Sequence, residues 1–77
     1  MDQAELLKRI TINPGIFGGS PVIRGMRFRV TDIIDMLASG MSNEEILKDF
    51  DYLKLEDIQA SLVFASIKLN HPTLHAA

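Results

Sequence analysis

The stretch that most constrains this chain is residues 13–30, NPGIFGGSPVIRGMRFRV. It holds four of the five glycines, two of the three prolines and three of the four arginines. Asn13-Pro14-Gly15 is strong turn chemistry, and Gly18-Gly19-Ser20 is a second break. Two short β-prone runs follow, Pro21-Val22-Ile23 and Phe28-Arg29-Val30, around Arg24-Gly25-Met26-Arg27. Glycine at the first central position of a two-residue loop predicts a type II′ hairpin turn over Gly25-Met26. That register sets Ile23 opposite Phe28 and Val22 opposite Arg29. Side chains alternate along a strand, so Arg24, Arg27 and Arg29 should share a face with Val22. Pro21, Ile23, Phe28 and Val30 should take the dry face. Like charges facing each other in a ladder cost roughly 0.2–1 kcal/mol. The cationic face therefore calls for phosphate, an acidic partner chain, or carboxylates of the chain itself.

The glycine cluster does not make a phosphate loop. No Gly-Lys-Ser/Thr follows, the GxGxxG spacing is absent, and Pro21 with a β-prone run stands where a helix would have to open.

Upstream, residues 2–9 predict a short helical turn. Arg9-Ile10-Thr11-Ile12-Asn13 alternates as a strand with Ile10 and Ile12 inward, and Ile16 and Phe17 are expected to plug the core. Downstream, Thr31 is the expected N-cap of a helix over 32–39, closed by Gly40. Ser42 and Glu45 have the spacing of a capping box for a helix over 43–50. A longer helix spans 55–69 and is stopped by Asn70 and Pro72. Its face Leu55-Ile58-Leu62-Ala65-Leu69 should serve the chain's own core. Val63, Phe64 and Ile67 widen the apolar surface and are the expected homodimer interface. Residues 71–77 are expected to fray.

The fold class expected is α+β, mostly α, in a single domain over 1–77: a β element about 10–30, then a three-helix, homeodomain-like helix-turn-helix bundle. Seventy-seven residues give a marginal core of roughly 3–5 kcal/mol. An apolar fraction of 47% is generous for that length and points to association. With no cysteine there is no disulfide and no thiolate metal site, which suits a reducing cytoplasm. The start, MDQAELLKRI, lacks the apolar run of a signal peptide.

Charge is segregated. Residues 1–30 carry five cations against two carboxylates, net +3, and residues 31–77 three against eight, net −5. A non-specific nucleic-acid binder would be basic throughout. In a trihelical domain the third helix reads DNA with its first residues. Here these are Leu55, Glu56, Asp57, Ile58 and Gln59, and the two carboxylates would repel phosphate. The arginine hairpin is the better candidate for DNA.

Catalytic chemistry is not expected. The serines lack a histidine partner, and the acidic pairs Glu44/Glu45 and Glu56/Asp57 open helices, where the helix dipole accounts for them. His71 and His75 have the four-residue spacing of zinc ligands, but Pro72 interrupts the helix that would present them. No cofactor and no metal is expected.

The segments Ile12-Asn13-Pro14-Gly15-Ile16, Gly18-Gly19-Ser20-Pro21-Val22-Ile23-Arg24-Gly25, Arg27, Leu37-Ala38-Ser39-Gly40-Met41-Ser42, Glu45-Ile46-Leu47 and Leu55-Glu56-Asp57-Ile58 together resemble the bacterial family catalogued as domain of unknown function 433. The resemblance covers Ile10 to Asn70. Met26 replaces the threonine common in that turn, and Phe17 stands where cysteine is frequent. The resemblance implies a homeodomain-like fold and a non-catalytic antitoxin that neutralises a PIN-type nuclease toxin, with operator DNA as a further ligand. From it the turn Arg24-Gly25-x-Arg27 is carried over as a contact, joined by Arg29 from the hairpin reading. Two alternatives stay open: a DNA-binding transcriptional regulator without a toxin, and a structural or assembly subunit.

Overall fold

The computed structural model describes residues 1–70. The expectations for the tail and for His71 and His75 lie outside them. The order of elements is α1 (Gln3–Leu7), β1 (Ile10–Thr11), β2 (Val22–Ile23), α2 (Val30–Ala38), α3 (Asn43–Asp49) and α4 (Leu55–Leu69), with a 3₁₀ turn at Phe17–Gly19 between the strands. A two-stranded antiparallel sheet with a helical bundle behind it makes the fold α+β, mostly α.

The strands β1 and β2 pair Ile10 with Ile23 and Thr11 with Val22. The expected hairpin survives as a single bridge, Val22 to Arg29, in the register read from the sequence. Ile23 N donates to Phe28 O at 2.9 Å and Val30 N to Pro21 O at 3.0 Å. The turn itself differs. Met26 N donates to Ile23 O at 2.8 Å, so the central residues are Arg24 and Gly25, with φ of 46° and 72°. Two positive φ values define a type I′ turn, one residue earlier than the expected type II′. A non-glycine residue in the left-handed region is strained, and side-chain bonds of Arg24, described below, hold it there.

Helix α2 starts two residues earlier than expected. Arg29, not Thr31, is its N-cap, and Asp32 at the third helical position accepts the Arg29 N–H at 3.0 Å. Its end is a Schellman motif: Met41 N donates to Met36 O and Gly40 N to Leu37 O, with Gly40 at φ 98°. The Ser42/Glu45 capping box forms as read, at 3.1 and 2.9 Å. The Ser42 backbone N–H first, and the Ser42 hydroxyl second, hold the Glu45 carboxyl below its usual range. Helix α3 ends at Asp49, with Phe50 as its C-cap.

Seven residues from six segments form the core: Ile23, Phe28, Val30, Ile33, Ile46, Leu53 and Ile58. Val22 and Ile23 are both fully buried, so the turn has no outer face containing Val22. Ile12, expected inward, is 61% exposed, and Phe17, expected in the core, is 41% exposed. Helix α4 packs against α1, α2 and α3, and its phase differs from the one expected. Asp57, Ile58, Ala60 and Ser61 are buried, while Leu55, Leu62 and Leu69 are exposed. The small side chains of Ala60 and Ser61 suit close packing of neighbouring elements, which leucines at those positions would hold apart. No helix among the described residues is long and apolar enough to cross a membrane.

Candidate functional site

Asp57 is the point at which the N-terminal segment is tied to the bundle. At the third position of α4 its Oδ2 accepts the backbone N–H of Lys54 at 2.9 Å, closing the helix start as Asp32 does for α2. Its Oδ1 also accepts from Arg9 Nε at 2.8 Å and Arg24 Nε at 3.1 Å, and Oδ2 from Arg24 Nη2 at 2.9 Å. Arg24 Nη2 further donates to Tyr52 O at 2.9 Å. The fork geometry of guanidinium to carboxylate gives these bonds both strength and direction. The turn is fixed from its other side by Gly25 N donating to Thr11 Oγ1 at 2.9 Å.

The Asp57 side chain is fully buried. Burial alone would push its carboxyl up; hydrogen bonds from Arg24, the Lys54 N–H and Arg9 outweigh this and hold it below the ordinary value of 3.8. The bond to Asp57 raises Arg24 in turn. Ser61 Oγ donates to Asp57 O at 2.9 Å, and no buried side-chain polar atom among the described residues lacks a partner.

The three hairpin arginines therefore do not form one free cationic face. Arg24 lies across the start of α4, about a third exposed, and is neutralised by Asp57. Arg29 folds over its own helix start, with Nη2 3.0 Å from Asp32 Oδ1 and Nε 3.2 Å from Oδ2, and its guanidinium carbon lies 4.8 Å from the centre of the Phe17 ring. The bond to Asp32 raises Arg29. Burial would raise Asp32, but its bonds to Arg29 lower it. Arg27 makes no hydrogen bond or ion pair among the described residues. The face reading failed because it assumed regular pleating through the turn, whereas the left-handed Arg24 sends its side chain towards α4.

Arg27 stands on the rim of an open groove of about 420 Å³, lined also by Phe28, Asp32, Asp35, Met36, Phe50 and Tyr52. The rings of Phe28, Phe50 and Tyr52 meet edge to face, with centroids 5.0 to 6.3 Å apart, and make one aromatic wall. Sequence reading missed this groove; Phe50 and Tyr52, two apart at the end of a helix, were its only signal. A second groove, of about 370 Å³, is apolar and lies between α2 and the end of α4. It is lined by residues including Pro21, Val30, Ile34, Phe64, Ala65 and Leu69. Of the expected dimer residues, Phe64 packs partly on the core, Val63 is half-buried and Ile67 is 47% exposed.

No cluster of three or more potential metal-ligating side chains occurs among the described residues. The first groove brings together the Arg27 guanidinium, an aromatic wall and the carboxylates of Asp32 and Asp35.

The family model described as "Protein of unknown function (DUF433)" matches residues 10–65. An uncharacterised protein, y4eO, of Sinorhizobium fredii (strain NBRC 101917 / NGR234) is 36% identical over 64 residues, which are 83% of this chain and 29% of that protein. The crystal structure of a DUF433 member protein from Anabaena variabilis ATCC 29413 matches with a TM-score of 0.68 at 28% identity, covering 87% of this chain and 65% of that one. The chain thus spans less than a third of the curated relative and about two thirds of the solved one.

Proposed function

The chain belongs to the DUF433 family, and from that premise we propose that it is a non-catalytic, antitoxin-type binding module that neutralises a PIN-type nuclease toxin. The observation that carries this reading is Arg27, the hairpin arginine without an intrachain partner among the described residues, at the rim of the aromatic groove. A nuclease that works through metal ions presents carboxylates at its centre. A single outward guanidinium beside an apolar wall can enter such a cleft and pair there, and Arg is enriched among residues that dominate interfaces.

Operator DNA is supported less well. The chain carries a net charge of −2, and two of the three hairpin arginines are occupied by Asp57 and Asp32. Phosphate binding draws on several unpaired cations at once.

The test is isolation of the tagged full chain from its native cells, with a nuclease assay on what accompanies it. The expected result is a PIN-type nuclease that is silent in the complex and active once the two are separated. Arg27→Ala should weaken the complex by about tenfold or more, with the fold unchanged. Absence of a nuclease, or undiminished binding by the variant, would overturn the proposal.

A further inference from the structure

Helix α4 leaves a second surface that the nuclease reading does not use. Leu55, Leu62 and Leu69 are 41%, 49% and 74% exposed, and Gln59 and Ser66 between them are exposed as well. The five positions are spaced 4-3-4-3, the interval that keeps one stripe of a helix facing a partner helix. The leucines of the stripe are symmetric about Leu62. Leu55 lies seven residues before it and Leu69 seven after, while Gln59 and Ser66 lie three before and four after.

A sequence arranged this way is complementary to itself run backwards. If a second α4 lies antiparallel across the first, Leu62 meets Leu62 of the second copy, and Leu55 meets Leu69 at both ends. Gln59 then falls within one residue rise, about 1.5 Å, of the second copy's Ser66, and the amide and hydroxyl can donate and accept between them. In parallel register Gln59 would face Gln59 and Ser66 would face Ser66, pairs that also donate and accept, so the direction of pairing rests on the recess beside Leu69. Leu69 also lines the apolar groove between α2 and α4, so the end of the stripe opens into a recess that the second copy's Leu55 can fill.

We infer that this chain forms a two-fold symmetric homodimer through an antiparallel pairing of α4, with Leu62 on the symmetry axis. Such an interface is isologous: each contact occurs twice. The stripe runs for fourteen residue rises, about 21 Å, which places it at the small end of specific interfaces. Association is therefore concentration-dependent, not permanent. The pairing also has a consequence for nucleic acid. The outer face of α4 is the one a trihelical domain would offer to the major groove, and in the dimer that face is covered.

Sedimentation velocity of the full chain across the micromolar range tests the dimer, and cross-linking tests its direction. Because the protein contains no cysteine, single introduced thiols report without background. The sedimenting mass should rise from one chain to two with concentration. Leu62→Glu, which sets two carboxylates together on the axis, and Leu69→Glu should each weaken the dimer by about tenfold or more with helix content unchanged. Leu62→Cys should oxidise to a disulfide-linked pair. Leu55→Cys should cross-link with Leu69→Cys in a mixture, and neither with itself. A single chain at every concentration, an unweakened Leu62→Glu or Leu69→Glu dimer, or Leu55→Cys linking to itself would overturn the inference. None of these readouts involves Arg27 or a nuclease, so failure here leaves the toxin proposal standing, and the reverse.

Discussion

Helices α2 and α4 begin in the same way, and they differ in what that beginning is worth. Each has an aspartate at its third position, Asp32 or Asp57, that accepts the N-cap backbone N–H, from Arg29 or Lys54. Each aspartate also receives a guanidinium. Around Asp32 the partners are 33% and 45% exposed and three residues apart; water competes for both charges, and such pairs contribute about 0–1 kcal/mol. Asp57 is fully buried, its arginines are 18% and 34% exposed, and they come from 48 and 33 residues away. The same local chemistry is a helix cap in one place and the tie between the β element and the bundle in the other. Burial and sequence separation make that difference.

Removing the two carboxylates in turn separates their roles. Asp57→Ala removes a buried carboxylate that accepts from two guanidiniums and from the Lys54 N–H. The arginines left behind are 18% and 34% exposed and regain water, so the cost is that of the lost charge-assisted bonds and helix cap, about 2–4 kcal/mol. That is most of the stability expected of a chain this small, so urea or thermal unfolding should find the variant close to its unfolding midpoint at room temperature.

Acid provides a graded version of the same experiment. The Asp57 carboxyl titrates lower in the folded chain than its ordinary value of 3.8, so the unfolded chain binds the proton first. Its contribution is fully present above about pH 4 and is lost as pH falls through the depressed folded value. Unfolding midpoints measured from neutral pH downward should drop in that window, and Asp57→Asn should flatten the drop. Asp32, also lowered, contributes in the same direction, but its exposed setting makes its share smaller.

At the small end, Asp32→Ala should cost only about 1 kcal/mol, the sum of a lost cap interaction and a surface ion pair. It should shift the unfolding midpoint without loss of cooperativity. A cost near that of Asp57→Ala would erase the distinction between the two helix starts.

Much of this architecture was legible from local signals. The bounds of α4, the Ser42/Glu45 box, Gly40 closing α2 and the Val22–Arg29 register all rest on residues within a few positions of each other. The misreadings share a cause. Arg29-x-x-Asp32 and Lys54-x-x-Asp57 look alike in the sequence, and nothing nearby says that only Asp57 is buried. Pairing of β1 with β2 spans the whole glycine-rich stretch and leaves no short-range trace. Helix α4 is apolar on so many sides that its periodicity does not fix its phase. The leucines attract attention, but the buried side is marked by small residues, Ala60 and Ser61, beside Ile58. At the turn, one glycine permits two adjacent turn types, and the choice between them is made by Arg24 reaching Asp57, a contact 33 residues distant.

Arg24 is an intrachain tie and not a free contact, and a double-mutant cycle in urea measures this directly. Arg24→Ala, Asp57→Asn and the double variant isolate the pair, with asparagine keeping the side chain's volume and an acceptor for the Lys54 N–H. The coupling energy expected is about 1.5 kcal/mol or more, in the range of hydrogen bonds to charged groups, against about 0.5 kcal/mol for the matching cycle on Arg29 and Asp32. An Arg24–Asp57 coupling no larger than that of the exposed pair would contradict it.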